Sequence, residues 1–535
     1  MVPSREAPVL IAGGGLVGLS AAAFLAQQGV RSIVLERLAE SSPLPRAAFF
    51  HMRTLEMFRS LGIEAAVRER SEHDFVPEGA VVAVDCLAGR VLAQIIPSLN
   101  EGVEAVSPCR RLFLNQPSLE PILRERARAS GATVHMDTHI QAVQQDEAGV
   151  SLSVRAGSSA TIERFRGDYL IAADGAHSGI RERLGIGIDG RGSFSNSVTI
   201  YFRADLSPWL GQKAWSIIYV NNSVFSGFFR MNRSAQAGFL AVNTIGDPKL
   251  DPQAAANAAV DVSEARLIEL VRTGVGAPNL PVHIDGISRW RAGTSLARKF
   301  RHHRVFIAGD AAHTMPPTGG FGGNTGVHDA HNLSWKLALV LSGDAAPALL
   351  DSYESERRAV AHFTVEQAFS RYVTRTAPWL QTQHDFEPVV DDLDIELGYL
   401  YGLPGRVHAD PRTTHGLPGS RAPHLWLERN GQRISSIDLT GSYQLLIGAA
   451  GSEWQRAASA LARQFHALRL DAHRIGTDLG DPERGFAAAF GVSDAGAVLI
   501  RPDGFVAWRS PGASTQAEAD LTRALRRSLG HAEAG

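Results

Sequence analysis

Two cysteines, Cys86 and Cys109, are all that 535 residues contain. Neither belongs to a CxxC pair or to a metal-ligand spacing, which argues against a disulfide framework and a zinc site of the usual kind and makes a reducing cytoplasm the natural setting. Charge of one sign is also missing: 53 basic and 55 acidic residues leave a formal net charge of -2. That balance gives no reason to expect a nucleic-acid or acidic-membrane partner. Internal repeats and low-complexity tracts are absent. What remains, 44% hydrophobic and 20% charged, describes a globular chain with ample core and a length suited to about three domains.

From Ala7 to Val30 no residue is charged, a run long enough to cross a bilayer. Gly13, Gly14 and Gly15 stand in it consecutively, and each would cost about 1 kcal/mol relative to Ala in a helix interior. Strand PVLIA, turn GGGLVG and helix LSAAAFLAQQ account for the run better than a membrane helix or a signal peptide. Gly13, Gly15 and Gly18 then fit G-x-G-x-x-G after a strand and at the opening of a helix. The first glycine permits the tight turn, the second lets backbone approach a pyrophosphate, and the third lets helix pack on strand. The phosphate would rest on the helix N-terminus, where unpaired N–H groups favour an anion. A second strand, SIVLE, ends at Glu36, placed to accept hydrogen bonds from a ribose diol. An acid there suits FAD or NAD better than NADP.

The stretch from Gly309 to His331, GDAAHTMPPTGGFGGNTGVHDAH, holds His313, His328 and His331 among six glycines. A metal triad is one reading. His328 and His331 share a helix face, but His313 precedes a Pro-Pro turn and no carboxylate at helical spacing completes a site. A serine hydrolase would need G-x-S-x-G, which the chain lacks. The expectation is therefore that the histidines pack and hydrogen-bond. The surrounding design is more informative: RVFIAGD is a strand delivering Gly309 and Asp310 into a turn, a Pro/Gly loop follows, and a helix begins at about Asn324. DYLIAADGAHSGIR, residues 168–181, repeats strand and turn at Asp174 and Gly175.

In their order, GGGLVG with Glu36, DYLIAADGAHSGIR, and GDAAHTMPPTGG onward, closed by YESERR at 353–358, resemble the single-component FAD-dependent aromatic hydroxylases. The length and a C-terminal extension are similar to the phenol-hydroxylase and aromatic-polyketide-hydroxylase branch. Where that family usually has a proline after YESERR, this chain has Ala359. The resemblance implies an α/β fold with a Rossmann-like FAD-binding domain (1–180 and 289–400, with a helical segment), an inserted β-sheet substrate domain (181–288) and a thioredoxin-like C-terminal domain (401–535). That last unit contains no cysteine, so packing or oligomerisation, a homodimer included, is its expected role.

The resemblance also implies that Asp310 holds the ribityl chain and that the backbone after Pro317 runs along the pyrimidine edge of the flavin. Reduced flavin is anionic at that edge, so a helix starting near Gly323 and Asn324 would aim its positive end at the charge. Glycines 319, 320, 322 and 323 would let backbone approach a flat ring. Arg46 matches the family arginine beside the ring and pyrophosphate, and Gln116 the family glutamine at the flavin. Asp174 is cofactor-adjacent and structural. Gly309, Gly320 and Arg37 complete the expected cofactor set.

Between the second and third motifs, SVTIYFRADL, AWSIIYVNN, VFSGFFRMN and AGFLAVNT read as alternating strands. Their aromatics (Tyr201, Phe202, Tyr219, Phe225, Phe228, Phe229) either line an apolar pocket or fill the sheet's own core. Tyr219 is the expected substrate contact. Arg371 would stabilise a phenolate if it reached the substrate; the alternative is an exposed arginine. The implied activity is transfer of one oxygen from O₂, through a flavin hydroperoxide, to an electron-rich phenolic or polycyclic polyketide substrate. NADPH or NADH would be the transient co-substrate, since no second dinucleotide motif is evident. Two alternatives keep the flavin: Baeyer–Villiger insertion into a polycyclic ketone, and a non-catalytic flavin-containing binding or assembly protein. No W-x-W-x-I-P halogenase motif is present.

Overall fold

The structure, a computed structural model, describes residues 4–41, 48–159, 161–211, 213–246, 251–382, 385–465 and 468–531. Arg46 lies outside the described residues. At the centre is a six-stranded sheet in the order Arg301–His302, Val305–Ile307, Tyr169–Ala172, Val9–Ala12, Ser32–Leu35, Thr133–His135. All neighbours are parallel except the Arg301–His302 edge. The strands of the three motifs are therefore adjacent, and their register is level: Ala12 pairs with Ala172, and Ala172 with Ile307. Three loops that are far apart in sequence leave the sheet side by side at its carboxyl end, which is where open α/β sheets bind ligands.

The uncharged run is explained by position. Helix Leu16–Gln27 is buried from Leu16 to Leu25 save Val17 and packs against helix Phe321–Ser342. Among the described residues no helix is long and apolar enough to cross a membrane. Helix Phe321–Ser342 begins three residues before the expected Asn324, because Gly320 takes the left-handed conformation (φ 70°) and ends the loop there.

The second sheet has eight strands in the order His313–Thr314, His283–Ala297, Ile188–Arg203, Ala237–Ile245, Phe225–Met231, Trp215–Asn221, Ala80–Val84, Val91–Ile96. Two of these come from residues 80–96, inside the span expected to belong to the FAD-binding domain. An apolar strand carries no mark of which sheet it joins. Strand period 2 sorts the aromatics. Phe202, Phe225 and Phe229 pack with Leu267, Leu270 and Val271 of helix Glu264–Val275. Tyr219 and Phe228 belong to a separate cluster on the other face, with Phe75, Leu99 and Phe113, and Phe228 adjoins Phe239, which adjoins Tyr201.

The C-terminal unit is a four-stranded sheet in the order Leu470–Arg474, Tyr443–Ile447, Ala497–Ile500, Val506–Ser510. Its first pair is parallel and the others antiparallel, the thioredoxin-like arrangement, with helices Ser452–Gln464 and Ala517–Ser528 packed together. It docks through buried ions. Glu56, on helix Met52–Ser60, accepts from Arg53 (2.9 Å), from Ser107 and from Arg421. Burial would raise the Glu56 carboxyl, but Arg421 and Arg53 hold it down at about 2. Glu356 likewise accepts from Lys336 (2.7 Å) and Arg501 (2.6 Å), and Arg501 turns back to Asp503.

Candidate functional site

At the carboxyl end of the six-stranded sheet the three glycines of the first motif do different work. A Cβ on Gly13 would lie 2.3 Å from the Ala173 carbonyl oxygen, and one on Gly18 would lie 1.9 Å from that of Gly13. Both positions are closed by the protein itself. Gly15 is not: its φ is -81° and its nearest neighbour would be Glu120 Oε1 at 3.5 Å. Among the described residues nothing closes the space in front of Gly15. Backbone that open at a helix N-terminus is what a diphosphate could approach.

Neither Leu16–Gln27 nor Phe321–Ser342 has a side-chain cap or an acid in its first turn, so the leading N–H groups of both are left for a ligand. Glu36 follows its strand, with Oε2 accepting from Gly14 N–H (2.6 Å) and Oε1 from Leu38 N–H (2.8 Å). Those bonds fix a half-buried carboxylate that retains acceptor capacity. Arg37 beside it is exposed. Gln116 opens helix Gln116–Ala129 next to Gly15 and donates to Glu120 (2.6 Å); Glu120 gave no signal in the sequence. Asp174 accepts from Ser178 (2.5 Å) and from Ile180 N–H (3.2 Å), a capping role for helix Gly179–Arg183.

The third motif provides the other wall. Asp310 is exposed at the turn, Pro317 is exposed beyond it, and Gly319, Gly320, Gly322 and Gly323 are half-buried. These residues fit a flat ring system with a sugar-alcohol chain. Asn324 faces inward instead. Its Nδ2 donates to Phe49 and Gly320 carbonyls (2.8 and 2.7 Å), and its Oδ1 accepts from His51 N–H (3.0 Å) and Thr54 Oγ1 (2.7 Å). With its amide used up in tying the helix start to residues 49–54, only its backbone is left for a cofactor.

The histidines are struts. His313 Nε2 donates to Asp329 (2.7 Å), which also accepts from Gly309 N–H (3.0 Å) and Arg357 Nε (2.8 Å). His313, Asp329 and Arg357 are all fully buried. His328 Nε2 donates to Thr54 Oγ1 (3.1 Å), whose own hydrogen goes to Asn324, and His331 stands against Phe24. Among the described residues no three His, Cys, Asp or Glu converge as for a metal.

Burial, aided by Arg357 and Arg53, pushes His328 well below its ordinary value. The folded state thus refuses a proton that the unfolded chain accepts below about pH 6.5. Stability from this group is complete above that pH and declines as pH falls, at about 1.4 kcal/mol per pH unit. Urea unfolding at pH 7.5, 6.0 and 5.5 should show a shallower decline by that amount in His328→Gln; equal slopes would refute the assignment.

Tyr219 is buried, its ring 5.8 Å from Phe228. Burial raises its phenol pKa, while Arg375 at its hydroxyl opposes this. Arg371 is buried rather than exposed. Its donors go to Asp392 (2.6 Å), Gln367 Oε1 (2.8 Å) and the Val390 carbonyl (2.7 Å). Arg375, one turn on, is the arginine that reaches the aromatic face. His51 was also not foreseen: it donates to the Gly319 carbonyl (2.9 Å) between the rings of Phe49 and Phe321.

Residues 6–368 match the family described as FAD binding domain, and residues 415–532 that described as aromatic-ring hydroxylase, C-terminal. The chain is 46% identical over 542 residues to a 4-methyl-5-nitrocatechol 5-monooxygenase of Burkholderia sp., covering 98% of each. It is 36% identical over 541 residues to aklavinone 12-hydroxylase of Streptomyces purpurascens, covering 98% of this chain and 99% of that one. The solved ternary complex of aklavinone-11 hydroxylase with FAD and aklavinone superposes with a TM-score of 0.90 at 34% identity, over 98% of this chain and 99% of the other.

Proposed function

This chain belongs to the FAD-dependent aromatic-ring hydroxylases, a family of flavin monooxygenases, and from that premise we propose that it hydroxylates a substituted phenol held between the flavin loop and the aromatic face of the eight-stranded sheet. One contact carries the placement. Phe49 packs against Gly320 of the loop, where a Cβ would meet it at 3.0 Å, and stacks on Phe113 at 4.8 Å, which belongs to the aromatic face. Loop and face therefore form one continuous wall.

Bound FAD would supply the redox chemistry of the reaction, accepting electrons from NADPH or NADH and activating O₂ for transfer to carbon. Gly15 and the start of helix Leu16–Gln27 would hold the diphosphate, Glu36 the ribose and Asp310 the ribityl chain. The N-terminus of helix Phe321–Ser342 stabilises negative charge at the pyrimidine edge. Asn324, locked by Thr54 and His51, keeps that helix start in position. Tyr219, with Arg375 behind its hydroxyl, orients the substrate phenol, and the surrounding rings exclude water.

The FAD-loaded protein, given NADPH or NADH, isotopically labelled O₂ and a panel of phenols and hydroxyquinones, should yield a product one labelled oxygen heavier. NMR should place it as a new ring hydroxyl. A ring-inserted ester, or no oxygenated product from any member, overturns the proposal.

A further inference from the structure

Arg230 lies on strand Phe225–Met231 and shares the aromatic face with Phe228. It is 4% exposed. Its guanidinium carbon sits 4.0 Å from the Phe75 ring centre and 4.2 Å from that of Phe113. Among the described residues no carboxylate pairs with it, and its Nη2 is buried without a hydrogen-bond partner. Other buried arginines are provided for: Arg53 and Arg421 by Glu56, Arg357 by Asp329, Arg371 by Asp392. Burial pushes Arg230 down to about 9 with no neighbouring charge to offset it, so it is still a cation at neutral pH.

An isolated buried charge is costly unless it is paired. Two rings repay part of that cost through cation–π attraction. They offer no hydrogen bond to its N–H edge, where Nη2 is left without a partner. The partner that fits such an edge is a planar pair of anionic oxygens approaching in the same plane. The position of the edge narrows the partner further. Phe113 stacks on Phe49, and Phe49 touches the loop at Gly320, so Arg230 stands in the substrate wall, two rings away from the flavin loop.

We propose that Arg230 is an anion-binding subsite for the aromatic substrate, receiving a carboxylate, or a nitro group sharing the charge of a conjugated phenolate, at the end remote from the carbon that is hydroxylated. This rests on the monooxygenase reading for the identity of the site's occupant. The substrate class it names is a planar phenol bearing a distal, charge-carrying pair of oxygens.

Three probes share one ring and differ only at that end: 4-nitrocatechol, 3,4-dihydroxybenzoate and catechol. At pH 8 each is titrated into the FAD-loaded protein, and its dissociation constant is read from the flavin absorbance change. The two charged probes should bind at least roughly tenfold tighter than catechol, and Arg230→Met should weaken them by about 10- to 100-fold. Catechol affinity and FAD retention should hold within about twofold, and Arg230→Lys, which keeps charge without the fork, should retain part of the preference. No preference in the unmodified protein, an undiminished one in Arg230→Met, or equal weakening of all three probes would overturn the subsite. If Arg230→Met does not fold, the unmodified protein and Arg230→Lys decide. Charge-selective binding with no oxygenated product would sink the monooxygenase reading and leave the subsite standing. Oxygenation of catechol with no charge preference would do the reverse.

Discussion

Gly15→Ala should purify as a folded but colourless protein. The methyl group meets nothing closer than Glu120 Oε1 at 3.5 Å, and the backbone conformation there suits any residue. The apoprotein should therefore melt within a few degrees of the unmodified one. The same methyl points into the space where a diphosphate must touch backbone, and loss of that approach should weaken FAD binding by roughly 100-fold or more, about 3 kcal/mol. Gly13→Ala and Gly18→Ala form the contrast. They place a methyl 2.3 and 1.9 Å from backbone oxygens and should lose stability and flavin together. Parallel melting curves and fluorescence-quenching titrations with FAD separate the two behaviours. A yellow Gly15→Ala protein would remove the main support for the diphosphate cradle.

The second large effect is expected at Asp329. Asp329→Asn changes one atom, yet it leaves the fully buried Arg357 without its countercharge and weakens the hold on Gly309 and His313. Breaking a buried pair on one side costs about 3–5 kcal/mol, which should lower the thermal midpoint by roughly 10 °C. Burial works to raise the Asp329 carboxyl, but His313 and Arg357 hold it below its ordinary value. Its contribution is therefore complete above about pH 4 and disappears as pH falls further, so the gap between variant and parent should close in acid. A midpoint unchanged at neutral pH would mean that the cluster is not the anchor of the flavin loop.

That cluster also marks where legibility in the sequence stops. The strands before Gly13, Asp174 and Gly309 could be read because each is a short apolar run ending in glycine or aspartate. Their adjacency follows from parallel α/β packing. Asp329 stood in plain view, but its three partners lie 16, 20 and 28 positions away, and no periodicity connects them. Arg371 is buried although an arginine in a helix is usually exposed, and nothing local announces Asp392 and Val390 folding over it. Arg230 shows the same gap on a strand: alternation assigns its face, yet only tertiary structure brings Phe75 and Phe113 against it. Strands Ala80–Val84 and Val91–Ile96 are plain as strands and mute about which sheet they join.

The ionic contacts at Glu56 and Glu356 bear on how such a chain can be recombined. Each carboxylate belongs to the N-terminal part, and each takes an arginine, Arg421 or Arg501, from the C-terminal part. A chimaera spliced anywhere between residues 368 and 415, the natural gap between the two family segments, would join one parent's anions to another's cations. Where the second parent lacks an arginine at either place, a buried carboxylate keeps only Arg53 or Lys336 and loses half of its countercharge. The two segments therefore have to be inherited together, and a library that shuffles them should carry both arginines across the joint.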